Sequence, residues 1–313
     1  MSHQLCIGIL VERRYLNQAQ PAGLSASLRA RGHRVTMIDP ETVPCELGND
    51  DWLNDFDLIV GRGRSLALLC LLTQAERRGK PTINRRAAIA AVHNKAEMAV
   101  ALAANNIPTP QTLLGQVDRL ASQAPQASYP LILKPIFGDN SRGLRVVHSP
   151  AELAELSWPE PVALAQPYLP NDGYDLKLYG IGNDVWAVRK PSPFNMSGQS
   201  SAGSVELLPL TPALRDLGRR CGKLFGLELY GVDCLQTSTG VAVIEVNDFP
   251  TYTGVPEADK KLADYIIQKA QRRCNYENWN NYGATSTHSQ ESHYAGNGAA
   301  ALGMGGRGRS YLS

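Results

Sequence analysis

The chain has no cysteine pair spaced for a metal or redox bridge, no apolar run long enough to cross a bilayer, and almost no net charge. Its six cysteines, Cys6, Cys45, Cys70, Cys221, Cys234 and Cys274, are scattered, and none forms a Cys-x-x-Cys pair. That excludes a zinc ribbon and predicts buried free thiols in a reducing compartment. The lack of a spanning run excludes a transmembrane helix. No basic region or small-residue cleavage site precedes Leu5–Val11, so that segment reads as a strand and a cytoplasmic location is expected. A net charge of +2 over 313 residues argues against a nucleic-acid or membrane-surface binder. Neither a Gly-x-Gly-x-x-Gly nor a Walker A pattern occurs, and the turn Gly138–Gly143, with two glycines, is a weak phosphate-loop signal. His3, His33, His93 and His148 stand alone and read as surface or packing residues.

With 43% hydrophobic residues the chain can bury a substantial core. The first 84 residues alternate strand and helix: 5–11, 33–38, 57–60 and 80–84 read as strands, 21–31 and 65–78 as helices. This predicts a small parallel sheet with helices on its faces. Residues 87–104 read as one helix ending before Ile107-Pro108-Thr109-Pro110. Strands follow at 130–135, 144–147 and 162–166, with a helix at 150–156. The turn Gly182-Asn183-Asp184 joins strands 175–181 and 185–190 into a hairpin. Helices are expected at 212–225 and 257–273. From Asn275 the composition turns to Asn, Ser, Gly, Ala and Tyr, which predicts a disordered tail.

The chemistry concentrates in Tyr230-Gly231-Val232-Asp233 and Val243-Ile244-Glu245-Val246-Asn247. Side chains two apart on a strand share a face. A hairpin turning at Gly240 brings Asp233 level with Glu245 and Asn247. Three hard oxygen ligands at the end of a sheet suit Mg²⁺, which leaves positions open for phosphate oxygens. Lys134 closes the apolar strand Leu131-Ile132-Leu133, where a buried stem can present its ammonium to a phosphate. An edge lysine reaching solvent fits that position equally well. Lys95, taken alone, is a weaker signal.

In order along the chain, Asn84–Pro110, Leu131–Val147, Ala165-Gln166-Pro167-Tyr168-Leu169 and Tyr230–Val255 resemble the ATP-grasp superfamily, over roughly residues 5–270. The resemblance implies an α/β (α+β) ATP-grasp fold: an N-terminal α/β domain (1–84), a central subdomain (85–165), a C-terminal subdomain with the metal site (166–273) and a tail (274–313). It implies ATP as cofactor with Mg²⁺, one ion or two, or Mn²⁺. Lys95 and Lys134 would then contact phosphates, Gln166 and Leu169 would hold adenine at the hinge, and Lys177 would face the nucleotide. Asp233, Glu245 and Asn247 would be the metal ligands, and Arg189 would face the transferred phosphoryl group. Arg62 falls at a substrate-facing position, and Asn195 lies in the expected substrate loop.

Two branches of the superfamily compete. The first half is similar to RimK- and LysX-type carboxylate–amine ligases, which form an acyl phosphate and then an amide. The second half is also similar to inositol polyphosphate kinases, through Phe249-Pro250-Thr251-Tyr252-Thr253-Gly254-Val255, Val188-Arg189-Lys190-Pro191-Ser192 and the basic pair Arg13-Arg14. The loop at 195–203 contains no arginine. It therefore lacks both the arginine-rich loop of glutamate ligases and the basic cluster that a polyphosphate needs. The expectation is a ligase acting on a small-molecule or peptide carboxylate and an amine, with no nucleic acid or membrane partner and the oligomeric state open. A kinase is the alternative. A non-catalytic nucleotide-binding protein is disfavoured by the full metal set.

Overall fold

The computed structural model describes residues 3–42, 44–138, 143–170, 173–192, 204–238 and 240–285. The chain opens with β1 (Cys6–Val11), α1 (Ala19–Ala30), β2 (Arg34–Ile38), β3 (Leu58–Arg62), α2 (Leu66–Arg77) and β4 (Thr82–Ile83). These strands form a parallel sheet in the order β2-β1-β3-β4. The central strands β1 and β3 read as continuous apolar runs because both of their faces are buried.

The expected helix at 87–104 is two helices, α3 (Arg86–His93) and α4 (Lys95–Ala104), broken at Asn94. Asn94 is extended (φ −86°, ψ 105°), and its side-chain oxygen accepts from the backbone N–H groups of Ala96 and Glu97. An asparagine in this role caps the start of a helix, so the Ala-rich propensity around it is overridden locally. The break moves Lys95 from mid-helix to the first turn of α4.

Next come β5 (Leu113–Gly115), α5 (Val117–Gln123), β6 (Leu131–Lys134), β7 (Arg145–Val147), α6 (Pro150–Glu155) and β8 (Ala163–Pro167). The strands make a second, antiparallel sheet, β5-β8-β6-β7. One face, with Leu131, Leu133, Val147, Ala163 and Ala165, packs on α5 and α6. Pairing of Ile132 with Gln166 and of Lys134 with Leu164 turns these four side chains to the opposite face.

A third sheet follows, β11-β10-β9-β12-β13, built from β9 (Tyr174–Ile181), β10 (Asp184–Pro191), β11 (Glu206–Leu208), β12 (Leu229–Thr237) and β13 (Gly240–Asp248). The helix α7 (Pro212–Phe225) lies between β11 and β12 in sequence. Thr211 caps its start, and Gly226 ends it at φ +67°, a left-handed position suited to glycine. Leu217, Cys221 and Phe225 pack on Leu176, Leu178 and Val232 of the sheet. The other face joins Tyr179, Val188 and Leu229 to β1, β3 and α8 (Ala258–Thr285) in one core. Asn84, fully buried, ties β4 to β12: its oxygen accepts from the N–H groups of Glu228 (2.7 Å) and Leu229 (2.9 Å), and its amide donates to the Leu229 carbonyl (2.7 Å).

The short β5, α5 and β11 were not legible in the sequence pattern. α8 continues to Thr285, twelve residues past the expected end at Arg273; the remainder of the expected tail, 286–313, lies outside the described residues. Not every thiol is buried: Cys221 and Cys234 are, while Cys70 is exposed on α2. Among the described residues no helix is long and apolar enough to cross a membrane.

Candidate functional site

The β12–β13 register sets the site. Asp233 pairs with Glu245 and Gly231 with Asn247, so the three oxygen-bearing side chains share one face of the third sheet. A register shift between Asp233 and Cys234 skips Ile244 next to the site, and the pairing resumes at Cys234 and Val243. On the neighbouring strand Lys177 pairs with Asp233 on the same face. Each of the three is held by a basic side chain from a different element. Lys177 Nζ lies 2.6 Å from Asp233 Oδ2, Lys95 Nζ donates to Glu245 Oε1 at 2.8 Å, and Arg64 Nη2 donates to Asn247 Oδ1 at 2.8 Å. The Asn247 amide nitrogen sits 3.4 Å from Asp233 Oδ2.

This donor set fits Mg²⁺. Two carboxylates and an amide converge where basic groups already neutralise them, and Mg²⁺ takes few protein ligands and keeps positions for phosphate oxygens. Among the described residues no group of three His, Cys, Asp or Glu could hold a metal ion, so a metal here would rest on two carboxylates and the Asn247 amide.

Lys95 also donates to the Gly138 carbonyl (2.7 Å), and its backbone N–H bonds the Ile136 carbonyl. It thus ties the turn after β6 to β13. Lys134 projects from the second sheet into the same space. Among the described residues nothing hydrogen-bonds or ion-pairs with its ammonium. Burial lowers its pKa to about 8, against the pull of Glu245 and with a further push from Lys95. Burial alone would lower Lys177 too, but the attraction and hydrogen bond of Asp233, with Asp175 behind it, raise it overall. Gln166, on the Lys134 face, donates to Thr112 Oγ1 (2.8 Å). With Lys95, Met98, Lys134, Leu164 and Ile244 it lines a tight cleft between the second sheet, α4 and β13. Leu169 lies just beyond β8, half-buried.

Two expected residues sit elsewhere. Arg189 pairs with Leu176, on the face opposite Lys177, and stacks 3.6 Å over the Tyr174 ring. Lys190 pairs with Asp175 and so occupies the Lys177 face. Burial and the nearby Lys177 lower its pKa, against the pull of Asp233 and Asp175. Arg62 is buried, donating to Gln18 Oε1 (2.9 Å) between the rings of Tyr15 (3.9 Å) and Phe249 (5.8 Å). Gln18 and Tyr15 in turn line a cavity of about 550 Å³ with Arg14, Phe137, Trp158 and Glu160. Asn195 and its loop lie outside the described residues.

Several site residues were missed from the sequence. Glu12 follows β1 and Arg64 follows β3, at the carboxyl ends of parallel strands where α/β sheets place ligands. Asp248, 1% exposed, pairs with Arg64. His93 stacks edge-on against Phe137 (5.1 Å), and burial, with Arg64 and Lys95 nearby, lowers its pKa.

A parallel α/β sheet followed by two antiparallel sheets, with Lys134 on one and Asp233, Glu245 and Asn247 on the other, is the arrangement of an ATP-grasp fold. The RimK-like ATP-grasp domain matches residues 92–269, more than half of the chain, and the chain belongs to that family. A probable alpha-L-glutamate ligase of Vibrio atlanticus is 27% identical over 292 residues, covering 85% of this chain and 96% of the relative. Among solved structures, the ATP-grasp ligase PsnB complexed with minimal precursor, Mg and ADP superposes with a TM-score of 0.65 at 18% identity, covering 86% of this chain and 99% of that one. D-alanine–D-alanine ligase from Bacillus anthracis gives 0.67 at 16% identity, covering 88% and 100%. These last two likenesses are of fold. The family match favours the ligase branch over the inositol polyphosphate kinase branch.

Proposed function

We propose that this protein joins the carboxylate of a small molecule or peptide to the amine of an amino acid, consuming ATP. A carboxylate oxygen attacks the γ-phosphorus and ADP leaves. The amine then attacks the acyl carbon of the acyl phosphate, inorganic phosphate departs, and the nitrogen loses a proton. The observation that carries this reading is one sheet face bearing Asp233, Glu245 and Asn247, with the Lys134 ammonium, which has no partner among the described residues, projecting toward it.

Asp233, Glu245 and Asn247 would hold Mg²⁺, which supplies charge neutralisation along the triphosphate. Lys134 and Lys95 take phosphate oxygens, Lys95 from the first turn of α4, where the helix dipole adds to its charge. Leu164, Gln166 and Ile244 would surround adenine, and Leu169, just beyond β8, is assigned to the same hinge. Lys177 and Lys190, sharing the metal face, oppose the charge that spreads over the transferred phosphoryl group. We assign that role to Lys190 rather than Arg189 because only Lys190 has the required register.

The cavity lined by Arg14, Tyr15, Gln18, Phe137, Trp158 and Glu160 suits an amino-acid or peptide end, offering both charges and aromatic walls. Arg62 acts behind it, holding Gln18. The names of the glutamate-ligase relatives make L-glutamate the first amine to test. Purified protein with ATP and Mg²⁺ is given pools of amino acids and short peptides, L-glutamate included. ADP, phosphate and product mass are recorded. An amide formed with one phosphate per ADP is expected. A phosphorylated product without free phosphate would overturn the reading.

A further inference from the structure

We propose that Arg64 is the positioning residue that fixes which end of the Asn247 amide meets the metal, an inference that rests on reading Asn247 as a metal ligand. Arg64 belongs to the parallel sheet, two residues past β3, whereas Asn247 lies near the end of β13. Its backbone is set by Glu12, whose carboxylate accepts from the N–H groups of Arg64 and Ser65 and from Arg14 Nε (2.6 Å). The intervening Gly63 has φ +144°, and the Glu12 carboxylate occupies the space a Cβ would need. The turn therefore admits little but glycine and aims the Arg64 side chain at β13. The guanidinium then forks. Nε donates to Asp248 Oδ1 (2.8 Å) and Nη2 to Asn247 Oδ1 (2.8 Å), with side-chain exposures of 6% for Arg64 and 0% for Asp248.

An amide has one end that ligates a cation and one that cannot. Arginine only donates, so it meets the oxygen end of Asn247. The Asp233 carboxylate only accepts, and it lies 3.4 Å from the nitrogen end. The two neighbours agree on a single orientation. The oxygen has two lone pairs: one goes to Arg64 and the other remains for a metal. Asp248 balances the guanidinium charge, so the cation beside the metal face is neutralised where it sits. Orienting partners behind metal ligands typically matter by 10- to 100-fold in affinity.

Mn²⁺ binding in the presence of a non-hydrolysable ATP analogue, followed by electron paramagnetic resonance, tests this without turnover. Arg64→Met should weaken Mn²⁺ by about 10- to 100-fold. Arg64→Lys, whose single ammonium cannot fork, should fall in between, and it carries the test if Arg64→Met fails to fold by circular dichroism. The decisive background is Asn247→Asp, because both ends of a carboxylate ligate. There Arg64→Met should change Mn²⁺ affinity by no more than about threefold. Unchanged or tighter Mn²⁺ binding in Arg64→Met would overturn the proposal, as would equal losses in both backgrounds. Wild-type protein that binds no Mn²⁺ would remove the metal reading and the proposal together. Wild-type binding with an unaffected Arg64→Met removes the proposal alone.

Discussion

Two lysines, Lys134 buried and Lys177 largely so, reach the same space from different sheets, and they are kept in opposite ways. Lys134, on the second sheet, has no partner among the described residues, and burial brings its pKa to about 8. Lys177, on the third sheet, lies between Asp233 and Asp175, and its pKa is raised. Holding Lys134 charged at this depth costs roughly 3 kcal/mol. Glu245 and Asp233 offset part of that cost by their charge, but among the described residues none bonds the ammonium. Lys177 occupies an oxygen that a metal would take. One wall carries a cation with no partner among the described residues, and the other pairs its cation with two carboxylates.

The largest effect should come from the wall that bears Glu245. Glu245→Gln should lower kcat about 1000-fold or more while circular dichroism and the melting temperature stay close to wild type. Lys134→Met should weaken binding of an ATP analogue by about 10- to 100-fold, the loss of one charge-assisted contact. In the unliganded protein the two lysines should separate in sign. Lys134→Met should stabilise by about 1–3 kcal/mol, since it removes a buried unpaired charge. Lys177→Met should destabilise by about 1–3 kcal/mol, because it leaves Asp233 and Asp175 without their cation. Denaturant titration of both variants checks the pair, and a shared sign would dissolve the contrast.

The pH dependence is smaller and has a fixed direction. Between pH 8 and 10.5 the unfolded chain still holds the Lys134 proton while the folded chain has lost it. Wild-type stability should therefore rise with pH across that window relative to Lys134→Met. Affinity for the ATP analogue should move the other way, falling above pH 8 as the ammonium deprotonates. Denaturation and binding at pH 7.5 and 9.5 read both. Deleting residues 286–313 should change turnover least, by less than about twofold, consistent with a polar, low-complexity composition that contributes little to a packed site.

The strand–helix alternation and the β12–β13 hairpin were legible because each depends on local periodicity and turn residues. That Lys134 leaves the core face was legible for the same reason, since Leu131 and Leu133 face the core, but its burial was not, because an edge lysine reaching solvent fitted the strand equally well. Lys190 was within reach. A turn at Gly182-Asn183 sets Val188 opposite Lys177, so Arg189 falls on the wrong face by alternation alone. The break at Asn94 was hidden by the helix-forming residues around it, although asparagine before Lys95-Ala96-Glu97 is a capping pattern. Arg64, Glu12 and Asp248 left no joint signal. Arg64 and Asp248 are 184 residues apart, and only the stacking of one sheet on another brings them together.

The central claim is that Lys134 serves the nucleotide directly while Glu245 serves it through the metal. Calorimetric binding of a non-hydrolysable ATP analogue, with and without Mg²⁺, tests this on wild type, Lys134→Met and Glu245→Gln. Lys134→Met should weaken binding in both conditions and keep the gain that Mg²⁺ provides. Glu245→Gln should bind as wild type without Mg²⁺ and lose that gain. A Glu245→Gln protein that keeps the full gain from Mg²⁺ would contradict the account.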